Sequence, residues 1–174
     1  ESGSFNGFTL QGQGSIESSF AGFSAAEGQR FAVLNSDSGV STAQYGGTTG
    51  AILSKSYNLA AGDKLSFTFA FNTNDYLPYN DFALFFGNQR ADLASVGTGN
   101  SPGWQTFEWT VDQQFSGEVV WVVSNQLDNG VPSRLLLDAV TITPVPEPET
   151  YAMMLAGLVG LGFVARRKHA QKVG

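Results

Sequence analysis

Lys64-Leu65-Ser66-Phe67-Thr68-Phe69-Ala70-Phe71 decides the fold. Leu65, Phe67, Phe69 and Phe71 alternate with Lys64, Ser66, Thr68 and Ala70. A two-residue period puts the two sets on opposite faces of a β-strand. Ahead of it, Ala60-Ala61-Gly62-Asp63 has the composition of a turn. The same texture continues outward in both directions. Segments 5–10, 14–20, 30–35, 51–58, 81–87, 104–111, 117–124 and 134–143 read as strands. Asp37-Ser38-Gly39, Gly46-Gly47, Ser101-Pro102-Gly103, Ser116-Gly117 and Asn129-Gly130 punctuate them. No stretch from 1 to 143 keeps a helical period over a helical length. Roughly eight to ten short strands at this spacing predict an all-β, antiparallel, jelly-roll-like sandwich.

Composition removes most chemistries. The chain has 174 residues, of which 42% are apolar, 13% aromatic and 14% charged; soluble domains average about 25% charged. Fourteen Phe argue for a packed core and against disorder. There is no Cys, so disulfides, thiolate metal sites and thiol nucleophiles are excluded. The one histidine, His169, lies five residues from the C-terminus, which removes Ser-His-Asp catalysis and histidine-based metal sites from the β region. Residues 1–143 carry 13 Asp/Glu against 5 Lys/Arg, a net of −8 that repels phosphate backbones, so no nucleic-acid partner is expected. Glu17, Glu27, Glu108 and Glu118 read as solvated surface acids rather than a glycosidase pair. The expectation is a protein that is not an enzyme.

Asp138 shares a face with Leu136, Val140 and Ile142 if residues 134–142 alternate strictly. A carboxylate there needs partners. Two readings stand: it binds Ca2+ together with the loop oxygens of Asp75, Asn80, Asp81 and Asp128, or it caps backbone N–H groups or pairs with Arg134. Trp121, flanked by valines, and Trp109, beside Phe107 and Val111, read as core. Trp104, after Ser101-Pro102-Gly103, and Tyr76 and Tyr79, around Pro78, are the rings placed to stack on a sugar.

At Pro144 the composition breaks. Pro144-Val145-Pro146-Glu147-Pro148-Glu149 predicts an extended linker over 144–150. Tyr151–Ala165 contains no charge and is followed by Arg166-Arg167-Lys168. This predicts a third segment, 151–174, with a single apolar helix and a basic tail of membrane-flanking type. Ala152, Ala156 and Gly160 recur every four residues, a small-residue ridge that permits close helix packing.

The order Pro146-Glu147-Pro148, apolar Gly-rich helix, Arg166-Arg167-Lys168 resembles the PEP-CTERM sorting signal. That resemblance implies an exported bacterial envelope or matrix protein handled by an exosortase-type enzyme. The chain starts at Glu1, and its leader is taken as already removed. The stretches Ala26-Glu27-Gly28, Thr73–Ala83, Gly103–Phe107 and Leu135–Val140 resemble jelly-roll carbohydrate-binding modules, which implies a structural calcium and a glycan partner. The expected function is a structural protein of the cell surface or extracellular matrix that self-assembles through its tail helix into homo-oligomers or filaments. The alternative is a lectin-like module binding exopolysaccharide through Trp104, Tyr76 and Tyr79. In water a 15-residue apolar helix must enter a membrane, be cut off, or be buried against other copies.

Overall fold

The structure, a computed structural model, describes residues 4–37, 39–145, 154–156 and 158. The chain divides into two compact units, Glu1–Thr143 and Pro144–Gly174. In the second, residues 154–156 and 158 are helical and exposed. Among the described residues, no helix is long and apolar enough to cross a membrane.

The described residues of the first unit form thirteen strands: β1 (Thr9–Gln11), β2 (Gln13–Glu17), β3 (Ser19–Phe20), β4 (Phe23–Ser24), β5 (Phe31–Asn35), β6 (Val40–Ser41), β7 (Thr49–Leu59), β8 (Lys64–Asn72), β9 (Phe82–Phe86), β10 (Arg90–Ser95), β11 (Gln105–Thr110), β12 (Phe115–Ser124) and β13 (Arg134–Thr143). One sheet has the order β1-β7-β12-β9-β10, with β6 also paired to β7. The other runs β11-β8-β13-β5-β2, and β3-β4 form a separate two-stranded ribbon. The pairings are antiparallel, so the molecule is an antiparallel β-sandwich.

The opening alternation is realised in β8. Leu65, Phe67, Phe69 and Phe71 point between the sheets and are buried there with Leu53, Phe85, Trp121, Leu135 and Leu137. Phe67 is the hub, with ring centroids of Phe107, Phe85 and Trp121 at 5.1, 5.4 and 5.5 Å. Full burial of one such ring is worth about 1.5–3 kcal/mol. The turn ahead of β8 closes as its composition predicts, with the Ala60 N–H donating to Asp63 Oδ2 (2.8 Å).

Both outer faces carry smaller apolar clusters. Ile52, Phe82, Leu84, Val120 and Val122 are covered with help from Val40 and Tyr45. Phe31, Val33, Ala70 and Leu136 are covered by Phe20, Phe23, Ala25 and Trp104. Two local features depart from the simple sequence pattern. Segment 14–20 is not one strand, because β2 ends at Glu17 and the chain turns back through Ala21 (φ 49°) and Gly22 (φ 87°) into the β3-β4 ribbon. β13 carries a bulge: Asp138 pairs with Thr68, but the next partner of Ser66 is Thr141, and Ala139 sits at φ 51°. The extra residue exchanges the faces. Leu135 and Leu137 point into the main core before the bulge, and Val140 and Ile142 do so after it. Asp138 therefore does not share a face with Val140 and Ile142.

Candidate functional site

Register places a set of polar side chains on the outer face of the β9-β10 edge. Arg90, Asp92 and Ser95 pair with Phe86, Leu84 and Phe82, so these side chains share that face. A bulge at Leu93 turns the strand between them. The result is an open groove of about 410 Å³ whose lining includes Arg90, Asp92, Ser95, Thr98, Asn80 and Gln126.

Arg90 is fixed from three sides. Its Nε donates to Asp92 Oδ1 (2.7 Å) and its Nη1 donates to the Tyr45 carbonyl (2.6 Å). Its guanidinium lies 5.2 Å above the Phe82 ring. A guanidinium has five N–H donors, and these bonds engage two of them. The rings of Tyr45 and Phe86 meet at 6.3 Å beside it, with Phe86 38% exposed. Further along the face, Ser54 donates to Glu118 Oε1 (3.3 Å). Burial raises the Tyr45 phenol above its ordinary value; a hydrogen bond with Gln44 opposes this and the Glu118 charge adds to it. The phenol is therefore neutral at physiological pH and able to donate. Fixed donors, carboxylate acceptors and adjacent rings are what sugar hydroxyls and the C–H faces of pyranose rings can use.

The sequence-predicted rings divide. Tyr76 is 62% exposed and meets the half-buried Tyr79 edge-on at 5.6 Å. Their loop continues directly into Asn80, which lines the groove, but neither ring is part of that lining. Trp104, just ahead of β11 on the other sheet, is half-buried and lines a separate open pocket of about 420 Å³ with Phe23 and Pro102. Its indole N–H donates to the Ser24 carbonyl (2.9 Å), and Phe31 and Phe23 contact it edge-on at 5.3 and 5.4 Å. The β3-β4 ribbon, invisible to the strand pattern, folds over it. Trp109 and Trp121 sit in the main core as expected. Sequence reasoning missed Tyr45, Phe86, Arg90 and Asp92. The weak strand signal of Arg90-Ala91-Asp92-Leu93-Ala94-Ser95 hid the edge that carries two of them.

The predicted calcium ligands divide, with Asp138 apart from Asp75, Asp81 and Asp128. Asp138 Oδ2 accepts from the Ala26 and Glu27 N–H groups (2.7 and 3.0 Å), and Oδ1 accepts from the Ala139 N–H (2.8 Å). It is a backbone cap, and Arg134 donates instead to the Pro132 carbonyl. Asn80 Oδ1 accepts from the Gly97 N–H (2.8 Å). Asp81 contacts Ser133, five residues or about 17 Å along the chain from Asp138. Asp75 and Asp128 lie near enough to Asp81 for their charges to act on it. Among the described residues no group of three His, Cys, Asp or Glu side chains is arranged to hold a metal ion.

Of the surface acids, Glu27, Glu108 and Glu118 are exposed and Glu17 is half-buried. Pro146, Glu147, Pro148, Ala152, Gly160, Arg166, Arg167 and Lys168 lie outside the described residues, whereas Ala156 is helical and exposed.

The sandwich is similar in fold to solved carbohydrate-binding-module structures. TmCBM61 in complex with β-1,4-galactotriose matches with a TM-score of 0.50 at 13% identity, over 82% of this chain and 92% of that one. The CBM22-1 xylan-binding domain from Paenibacillus barcinonensis Xyn10C gives 0.47 at 13% identity, over 84% and 91%. A CBM4 structure gives 0.43 at 12% identity, over 79% and 94%. Residues 144–168 carry the PEP-CTERM protein-sorting motif. No curated protein matches the chain.

Proposed function

We propose that the chain is an exported, non-catalytic protein of the cell surface that binds a neutral polysaccharide in the β9-β10 groove. The sorting motif at 144–168 supports export and handling by an exosortase-type enzyme. The observation that carries the binding reading is Arg90: it is held against Asp92, the Tyr45 carbonyl and the Phe82 ring in an open groove, and the Tyr45 and Phe86 rings meet each other nearby. The Arg90–Asp92 pair cancels in charge, which suits hydroxyl groups better than an anionic polymer. The sandwich fold favours this reading over self-assembly as the main role.

Affinity electrophoresis of the intact chain tests it, with gels containing the source cells' own polysaccharide, β-1,4-galactan or xylan. Retardation is expected in at least one gel. Phe86→Ala and Arg90→Gln should each weaken it by about tenfold, through lost ring contact and lost hydrogen bonds. Trp104→Phe should not change it. Equal mobility with and without every polysaccharide, or undiminished retardation of both groove variants, overturns the proposal.

A further inference from the structure

At the end of the sandwich away from the β9-β10 groove, a cavity of about 400 Å³ opens between the two sheets. Its apolar lining includes Leu53 and Leu137, with Phe8 and Tyr57. Lys55 and Arg30 line it as well. That size and mixture fall within the range of small-molecule sites.

The cations are notable for what they do not do. Residues 1–143 contain five Lys/Arg in an acidic body. Lys64 pairs with Glu108 at 3.1 Å and Arg90 with Asp92 at 2.7 Å, while Arg134 donates to the Pro132 carbonyl. Among the described residues, neither Lys55 nor Arg30 forms a salt bridge, although acids lie close by. Asp138 lines the same cavity, but both of its carboxylate oxygens accept backbone N–H bonds from Ala26, Glu27 and Ala139. Glu27 is exposed. Lys55 Nζ lies 4.7 Å from the Phe8 ring centroid and 5.2 Å from that of Tyr57. Those rings hold the ammonium at the apolar wall without neutralising it.

We propose that this cavity binds a carboxylate-bearing organic molecule, with a sugar-ring C–H face or a short alkyl chain against Phe8, Leu53 and Leu137 between the sheets and the carboxylate on Lys55 and Arg30. A hexuronate unit of an acidic polysaccharide and a short fatty acid share that chemistry. The site is separate from the neutral-glycan groove and does not depend on it.

Titration calorimetry of the intact chain tests the proposal, with digalacturonate and octanoate as carboxylate probes and galactobiose and octanol as neutral counterparts. One of the acids should bind, at least about tenfold more tightly than its neutral counterpart, and more weakly as salt is added. Digalacturonate binding would identify an acidic polysaccharide as the source, and octanoate binding an amphiphile. Lys55→Met and Arg30→Gln should each weaken binding by about tenfold. Lys55→Arg should retain it, which separates loss of charge from misfolding. Phe86→Ala, which addresses the groove, should leave it unchanged. The proposal is overturned if neither acid binds at millimolar concentration. It is also overturned if Lys55→Met binds as the parent does, or if Phe86→Ala alone abolishes binding.

Discussion

Asp81 should make this sandwich more stable in mild acid than at neutral pH. Its side chain is fully buried, with Oδ1 accepting from the Gln126 N–H (3.0 Å) and Oδ2 from the Ser133 hydroxyl (2.9 Å). Burial pushes its pKa up from 3.8 to about 6; those two hydrogen bonds oppose the rise, and the charges of Asp75 and Asp128 add to it. The folded state therefore holds this proton more tightly than the unfolded chain. Stability falls as pH rises from about 4 to about 6 and then levels off, at a cost of about 3 kcal/mol. Asp81→Asn keeps the geometry: its carbonyl oxygen accepts from Gln126, its amide donates to the Ser133 oxygen, and no charge is buried. Urea unfolding of the intact chain between pH 4.5 and 7.5 reads the effect. Asp81→Asn should gain up to about 3 kcal/mol above pH 6 and lose the slope below it. Asp81→Ala should lose stability throughout, because the Gln126 N–H is left unsatisfied. If Asp81→Asn proves as destabilising at pH 7.5 as Asp81→Ala, the negative charge is stabilising and the reasoning fails.

Three further outcomes follow from the same packing. Chelation by EDTA should leave the melting temperature unchanged; a fall abolished in Asp81→Asn would show that Asp75, Asp81 and Asp128 gather a cation after all. Gly50→Ala should destabilise the chain by several kcal/mol in the same urea assay, since a Cβ there would overlap the Val123 carbonyl oxygen across the β7-β12 ladder. Trp121→Phe should cost no more than about 1 kcal/mol, against about 3–5 for Trp121→Ala, because the cavity it leaves is offset by removing a buried indole N–H with no partner.

Strong alternation made the core strands legible. Leu65, Phe67, Phe69 and Phe71 announced β8, and the valine run around Trp121 announced β12, because burial on one or both faces leaves an apolar signature. The edge was not legible in the same way. Arg90–Ser95 forms β10 through pairing with β9, and its small and polar side chains give no period of their own. With β10 hidden, the groove is hidden too: of its lining the sequence singles out only Asn80, as a metal ligand, and beside it Tyr76 and Tyr79 on the adjoining loop. The half-burial of Trp104 is not legible because the β3-β4 ribbon that packs on it consists of two two-residue strands. Asp138 was misplaced by one residue of bulge, which inverts every side chain beyond it. The capping alternative for that carboxylate nevertheless describes its actual partners.

Mapping backbone amide shifts of the intact, isotope-labelled chain during titration with a polysaccharide that retards it tests the groove most directly. The largest shifts are expected at Asn80, Arg90–Ser95 and Gln126, with Tyr45 and Phe86 following. Shifts confined to Ser24 and Ser101–Trp104 would place the sugar on the opposite sheet and contradict the assignment of the β9-β10 groove.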